Sequence, residues 1–221
     1  MNLQALLEAA ETYRETARAA LAQRLANRAI DQEQRAAHGF AWIATSVASL
    51  EAVLKWAEAG GGTNPLDAKV AQLAFAETLG QLTGGLPMGP GETFRPADLG
   101  ISAAALAEAA APLLQSDLAE TRAALAAALG EGQWPSETLH DAELDEIRAQ
   151  FRRFTDAEIL PHAHGWHLAN ALIPEATVQA MADLGTFGVC IPEEYGGLGL
   201  GKLVMCLVSE ELSRGWIGAG S

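Results

Sequence analysis

Cysteine is almost missing: two of the 221 residues, Cys190 and Cys206. So few thiols make no disulfide framework and no cysteine-based metal site. Both stand among apolar residues, which predicts a pair of buried, reduced thiols. Basic side chains are the second scarcity. Fourteen Lys and Arg face 28 Asp and Glu, for a formal net charge of −14. That field repels phosphate backbones and anionic lipid heads, so it argues against nucleic-acid and membrane-surface partners. Long apolar runs are absent as well, since no stretch approaches the roughly 20 residues of a membrane span. The opening MNLQALLEAAETYRETAR carries acids where a signal peptide has its apolar core. The expectation is a cytoplasmic protein.

What is present is helix-forming. Hydrophobic residues make up 49% of the chain and mean hydropathy is +0.09, enough for one large core or two small ones. Residues 2–28 and 33–58 carry helical patterning; in the second, Phe40, Ile43, Val47, Leu50 and Leu54 share a face. Glycines 60–62 close that segment. Asn64 then caps a helix that has Pro65 in its first position and runs to about Thr83. Five glycines and three prolines in 84–100 predict a loop. Ser102 reopens helix, which Pro112 is expected to kink or split before Gly130. GEGQWPSETLHD, 130–141, reads as a boundary between modules. Beyond it, Leu144, Ile147, Phe151 and Phe154 line an amphipathic helix that Pro161 is expected to end. A helix from about Pro174 to Gly185 follows, then a β-like piece, FGVCIP. A last helix, through Leu203, Leu207, Val208, Glu211 and Leu212, reaches Gly215. The fold class is all-α.

Three stretches invite a chemical reading. GGLGLGKL from Gly196 nearly spells a P-loop, but Leu203 stands where Ser or Thr would hold magnesium, and Glu193 and Glu194 precede it. Glycines that permit backbone angles closed to other residues are the better explanation. HAHGWH holds His162, His164 and His167, with Glu158 a turn earlier, yet the spacing fits no common metal site. These histidines are expected in a solvated loop after the helix stop, and no metal is expected. Glu210 or Glu211 has the chemistry of a general base, but a charged pair on a helix is more often a solvated face or an ion-pair partner, here to Arg214.

LDEIRAQFRRFTDAEILPHAHGWHLANALIPEATVQAMADLGTFGVCIPEEYGGLGLGKLVMCLVSEELSRG, residues 144–215, resembles the N-terminal helical domain of acyl-CoA dehydrogenases. The marks are the helix ending in a proline, the LG–FG–IPEEYGGLGL turn and the SEELSRG helix. The resemblance implies an all-α arrangement: residues 1–135 as a bundle-like helical extension, and 136–221 as an incomplete acyl-CoA dehydrogenase N-terminal domain. HAHGWHL, with QRAAHGFAWIATSVASLEAVLKWAEA in the extension, resembles one branch of the family that acts on a branched, carboxylated acyl-CoA. Members carry a middle β-domain and a C-terminal helical bundle with FAD between them. A glutamate takes the substrate's α-proton as a hydride leaves the β-carbon for the flavin.

By that resemblance the β-domain, the bundle, the catalytic base and most of the FAD site are expected beyond residue 221, so no catalytic residue is assigned and the chain alone is expected to be inactive. Gly218, Gly220 and Ser221 become the candidate substrate-binding residues, small enough to leave room for a branched acyl group. The implied partners are an acyl-CoA substrate, electron-transfer flavoprotein as acceptor, and further copies of the protein in a dimer or tetramer. The alternative is a non-enzymatic helical interaction module derived from the same family.

Overall fold

A computed structural model describes residues 2–221, and two compact units divide the chain, one up to Glu137 and one from Thr138. The first is built on α1 (Leu3–Leu25), α2 (Gln34–Ala59), α3 (Pro65–Gly84) and α5 (Ala104–Leu114). Their starts follow the sequence signals. Asn2 accepts a hydrogen bond from the Ala5 N–H at 3.1 Å, and Asn64 one from Leu66 at 3.0 Å with Pro65 in the first position. α1 packs on α2, α2 on α3, α3 on α5, and α5 returns to α1, closing a ring of four helices. Tyr13, Ala17, Ile43, Val47, Leu50, Phe75, Leu79 and Leu113 fill its centre. Each large side chain withdrawn from water there contributes about 1.5–3 kcal/mol. By length and composition α2 would also serve as a membrane span, contrary to the expectation that no stretch does. In this chain its Ile43, Val47, Leu50 and Leu54 are buried in the core.

Residues 84–100 are not the plain loop expected. Leu86–Gly89 (β1) and Glu92–Phe94 (β2) pair antiparallel across Pro90 and Gly91, and Gly91 takes φ +78°. Proline followed by a left-handed glycine is the chemistry of a tight turn. The alternation of buried Leu86 and Met88 with exposed Pro87 turns one face inward. Phe94 reaches the core because α2 offers Gly39 there: a Cβ on Gly39 would stand 2.3 Å from the Phe94 ring. The turn of helix α4 (Pro96–Leu99) follows. Pro112 lies inside α5, which ends two residues later. α6 (Leu118–Gly130) restarts after Asp117, whose side chain accepts from the Glu120 N–H at 2.8 Å. The segment leaving α6 is tied back to α3. Asp67, buried at 3% exposure, accepts from the Ser136 N–H at 2.7 Å and hydroxyl at 2.6 Å, and the Asn64 amide donates to the Trp134 carbonyl at 2.8 Å.

The second unit opens with α7 (Ala142–Phe154), capped by Asp141 on the N–H groups of Glu143 and Leu144. Pro161 does not end this helix. Thr155–Ile159 form a π-helical turn, and α8 (Leu160–Leu168) continues with Pro161 in its first turn. The wider turn tolerates the N–H that proline lacks. The HAHGWH histidines are therefore helical, a correction to the solvated loop. α9 (Glu175–Asp183) stops at Gly185, φ +86°, as expected. FGVCIP is not a strand: Thr186–Gly188 and Glu193–Tyr195 are 3₁₀ turns. α10 (Gly201–Gly215) and the single turn α11 (Ile217–Gly220) complete the unit. Its own core joins Phe151, Ile159, Met181, Val189, Val204, Val208 and Leu212. Cys190 and Cys206 are both exposed, against expectation. Cys206 lies two residues from each of Val204 and Val208, which places it on the other side of α10 from the core.

Candidate functional site

The densest polar constellation of the second unit surrounds Glu211 on α10. The apolar stripe of α7 is flanked by Arg148 and Arg152, one turn apart, and α7 packs on α10. Arg152 donates from Nε to Glu211 Oε2 at 3.0 Å and from Nη2 to Oε1 at 2.7 Å, a two-pronged pair. Arg214 donates from Nε to Oε2 at 3.1 Å and from Nη2 to Asp156 Oδ1 at 2.6 Å. Arg148 stands 3.8 Å from Glu211 and 3.6 Å from Glu210. Three guanidinium groups thus meet three carboxylates. Glu211 is only 1% exposed. Its burial by itself would push the carboxyl pKa up, but the hydrogen bonds from Arg152 and Arg214 outweigh this and hold it below the usual glutamate range. The bond to Asp156 is the main cause that raises Arg214.

Such a carboxylate, accepting three charged hydrogen bonds and held below the usual range, has no tendency to take a substrate proton near neutral pH. Glu211 therefore ties α7, the π turn and α10 together and does not serve as a base. Arg214 is the expected partner. The burial of Glu211, and the roles of Arg148, Arg152 and Asp156, were not anticipated. An arginine pair one turn apart beside an apolar stripe was the signal available. Glu210, by contrast, is exposed and pairs with Arg148.

The network fixes where α10 ends, and so where the three candidate pocket residues lie. Gly215 passes so close to the π turn that a Cβ would stand 2.5 Å from the Thr155 methyl. Trp216 then turns the chain, its ring 5.4 Å from that of Trp166, which lies 5.6 Å from the ring of His162. α11 folds back on α10. A Cβ on Gly220 would come within 1.9 Å of Ser213 Oγ and 2.7 Å of the Ser209 carbonyl. Gly218 lies against the Trp216 indole, where a Cβ would touch at 3.4 Å, and the Ser221 hydroxyl donates to the Ile217 carbonyl at 3.0 Å. The three are thus brought together on one turn, and close packing against α10 already accounts for the glycine at 220.

The N–H groups of residues 196–200 are not free to hold a phosphate. The N–H groups of Gly196, Gly197, Leu198, Gly199 and Leu200 donate to the carbonyls of Glu193, Pro192, Gly188, Ile191 and Val189 respectively. An anion needs such donors free. Gly196, Gly199 and Gly201 take φ of +82°, +64° and +81°. A Cβ on Gly197 would stand 2.1 Å from the Ile191 carbonyl oxygen. Among the described residues, no group of three His, Cys, Asp or Glu side chains is placed to hold a metal.

Comparison with known proteins fits this geometry. Residues 141–221 match the family model "Acyl-CoA dehydrogenase, N-terminal domain". The second unit is an acyl-CoA dehydrogenase N-terminal domain. The whole chain is similar to (2S)-methylsuccinyl-CoA dehydrogenase of Cereibacter sphaeroides, 44% identical over 225 residues, covering 96% of this chain and 41% of that protein. Glutaryl-CoA dehydrogenase of Desulfococcus multivorans is 41% identical over 75 residues, 33% of this chain and 19% of the relative. The mitochondrial isovaleryl-CoA dehydrogenase of Oryza sativa is 32% identical over 80 residues, 36% and 20%. The chain therefore spans less than half the length of the curated relatives it matches. Only the first of these three similarities is long enough to take in the helical ring as well as the acyl-CoA dehydrogenase domain.

Proposed function

We propose that this chain is the N-terminal part of a cytoplasmic, FAD-dependent acyl-CoA dehydrogenase that oxidises (2S)-methylsuccinyl-CoA to mesaconyl-CoA. The supporting observation is the 44% identity that runs over 96% of the chain, through both units, to a protein of that name. The reaction removes a proton from the α-carbon and a hydride from the β-carbon, leaving a double bond. Among the described residues no carboxylate is free, buried and poised as the base, since Glu211 is held by two arginines. The glycine stretch does not offer the N–H groups of residues 196–200 to a flavin phosphate, because they are already paired. FAD, when bound, supplies hydride acceptance, and both it and the base belong to segments beyond Ser221 in this proposal. The part of this chain is to seat Gly218, Gly220 and Ser221 as a small-residue wall of the acyl pocket. Electron-transfer flavoprotein is the acceptor, and the protein works as a homo-oligomer.

The test is an assay of the complete gene product with (2S)-methylsuccinyl-CoA and an artificial electron acceptor, with mesaconyl-CoA identified by mass. Turnover that exceeds that on glutaryl-CoA and isovaleryl-CoA is expected, whereas no turnover, or a preference for either of those, overturns the proposal. The 221-residue chain by itself is expected to be colourless and inactive. Stoichiometric flavin in a sample of verified mass near 23.1 kDa would refute that part.

A further inference from the structure

The helical ring of the first unit holds a cleft that its packing does not explain. It lies between α1 and the start of α5 and measures about 210 Å³. An engineered cavity of about 150 Å³ is enough to take up benzene. Tyr13 and Leu106 form its floor, Ala9 is half-buried on one side, and Thr12, Thr16 and Ser102 bring hydroxyls to the rim. Tyr13 is only 5% exposed, yet its hydroxyl has no hydrogen-bond partner among the described residues. The oxygen is not sealed among protein atoms, and the cleft leaves this donor open to an occupant. The rim hydroxyls bond elsewhere: Thr12 donates to the Glu8 carbonyl, Thr16 to the Thr12 carbonyl, and Ser102 accepts from the Ala104 N–H.

We propose that this cleft binds a small, neutral, ring-sized molecule through one carbonyl or ether oxygen that accepts the Tyr13 hydroxyl. Two further observations select for neutrality. No charged side chain lines the cleft itself, and Thr12 and Thr16 also border an open groove edged by Glu8, Glu11 and Glu15 against the single Arg14. That acidic surround repels anions. Burial pushes the Tyr13 pKa up to about 12, so it remains a protonated donor across the working pH range. The floor offers methyl and ring carbons to the rest of the ligand. The site is separate from the acyl-CoA dehydrogenase domain, and its test does not depend on the dehydrogenase reading.

Cyclohexanone is a suitable probe, with cyclopentane as a match lacking the acceptor and cyclohexanecarboxylate as a match carrying charge. Each is titrated by NMR into the 221-residue chain labelled with ¹⁵N, with the amides around Ala9, Tyr13 and Leu106 as reporters. Saturable shifts confined to these amides are expected for the ketone, with weaker binding of cyclopentane and none of the carboxylate. Tyr13→Phe keeps the ring and removes the donor. It should weaken the ketone about tenfold, as loss of one net hydrogen bond implies, and leave cyclopentane unchanged. Ala9→Leu should close the cleft and abolish both. Ketone binding equal in the parent and Tyr13→Phe proteins would overturn the proposal, as would shifts spread over the surface, water as the sole occupant at saturating probe, or tighter binding of the carboxylate. Thermal melts of both variants accompany the titrations, so that unfolding is not read as lost binding.

Discussion

At the scale of single residues the decisive feature is a glutamate that the sequence does not distinguish from its neighbour. Glu210 and Glu211 are chemically the same, and only packing against α7 sends one into the interior. Removing the charge in Glu211→Gln takes away the anion between Arg152 and Arg214, although Arg214 keeps Asp156. A broken buried pair costs about 3–5 kcal/mol, but both guanidinium groups are about one-third exposed and can be rehydrated. A loss of about 2–3 kcal/mol in the second unit is therefore expected by urea unfolding, while Glu210→Gln should stay within about 0.5 kcal/mol. The pH dependence has a definite sign. Because the folded-state pKa of Glu211 is depressed, its contribution is complete above the ordinary glutamate value of about 4.3. It fades as pH falls from there through the lower folded value. Parent stability should thus decline in that acid window, and Glu211→Gln should flatten the decline. An unchanged acid limb in the variant would mean that other carboxylates govern it. The cysteines fail in the opposite way: apolar neighbours in sequence placed Cys190 and Cys206 inside, but helical geometry turned Cys206 outward and a turn left Cys190 exposed.

At the scale of elements, signals carried by caps and periodicity were legible, and those that depended on competition between elements were not. Asn64–Pro65 and the stop at Gly185 act through local hydrogen bonds and angles, so the chain states them outright. Pro161 was misjudged because its usual effect assumes an unbroken i→i−4 ladder, which the π turn at Thr155–Ile159 has already interrupted. The hairpin at 86–94 was hidden by glycine and proline content, its pairing stabilised by Phe94 entering a space that Gly39 leaves on another helix. The glycine connection was read correctly in kind, though which glycines tolerate change needs coordinates. Gly196→Ala meets open space at φ +82° and should cost about 1–2 kcal/mol of left-handed strain. Gly197→Ala drives a methyl into the Ile191 backbone oxygen, which cannot move aside as a side chain could. It should reach or exceed the top of the about 1–3 kcal/mol range for overpacking. Thermal melts of the two variants that reversed this order would contradict the packing argument. In the first unit, Asp67→Ala removes one of the ties between the 131–137 segment and α3, leaving the Asn64–Trp134 bond, and deprives Ser136 of both its bonds. A loss of about 2 kcal/mol from the first unit should follow, as expected for hydrogen bonds to a charged acceptor.

At the scale of the whole molecule, the two units differ in how completely they cover their apolar surface. Of fifteen large hydrophobic side chains exposed among the described residues, only Ile30, Trp42 and Trp134 belong to the first unit; the other twelve, Leu172 at 91% and Tyr195 at 76% among them, belong to the second. This asymmetry could not be read from composition, because apolar residues are spread through both halves and only the fold decides which are withdrawn. Exposed apolar surface on this scale is characteristic of faces that other protein covers. It is consistent with a domain that in its relatives forms about a fifth of the chain. The separation of the two cores gives the asymmetry a direct test. A glutamate-specific protease should cut at the junction, after Glu137, because the backbone between Gly130 and Ala142 is non-helical. The released residues 1–137 should keep their helical circular dichroism, unfold in one cooperative transition and remain monomeric in sedimentation. The fragment from Thr138 should bind 8-anilinonaphthalene sulfonate strongly and associate at concentrations where its partner does not. If the N-terminal fragment were instead the one that binds the dye and associates, the helical ring would not be a self-sufficient core, and the apolar side chains counted in the second unit would have no bearing on assembly.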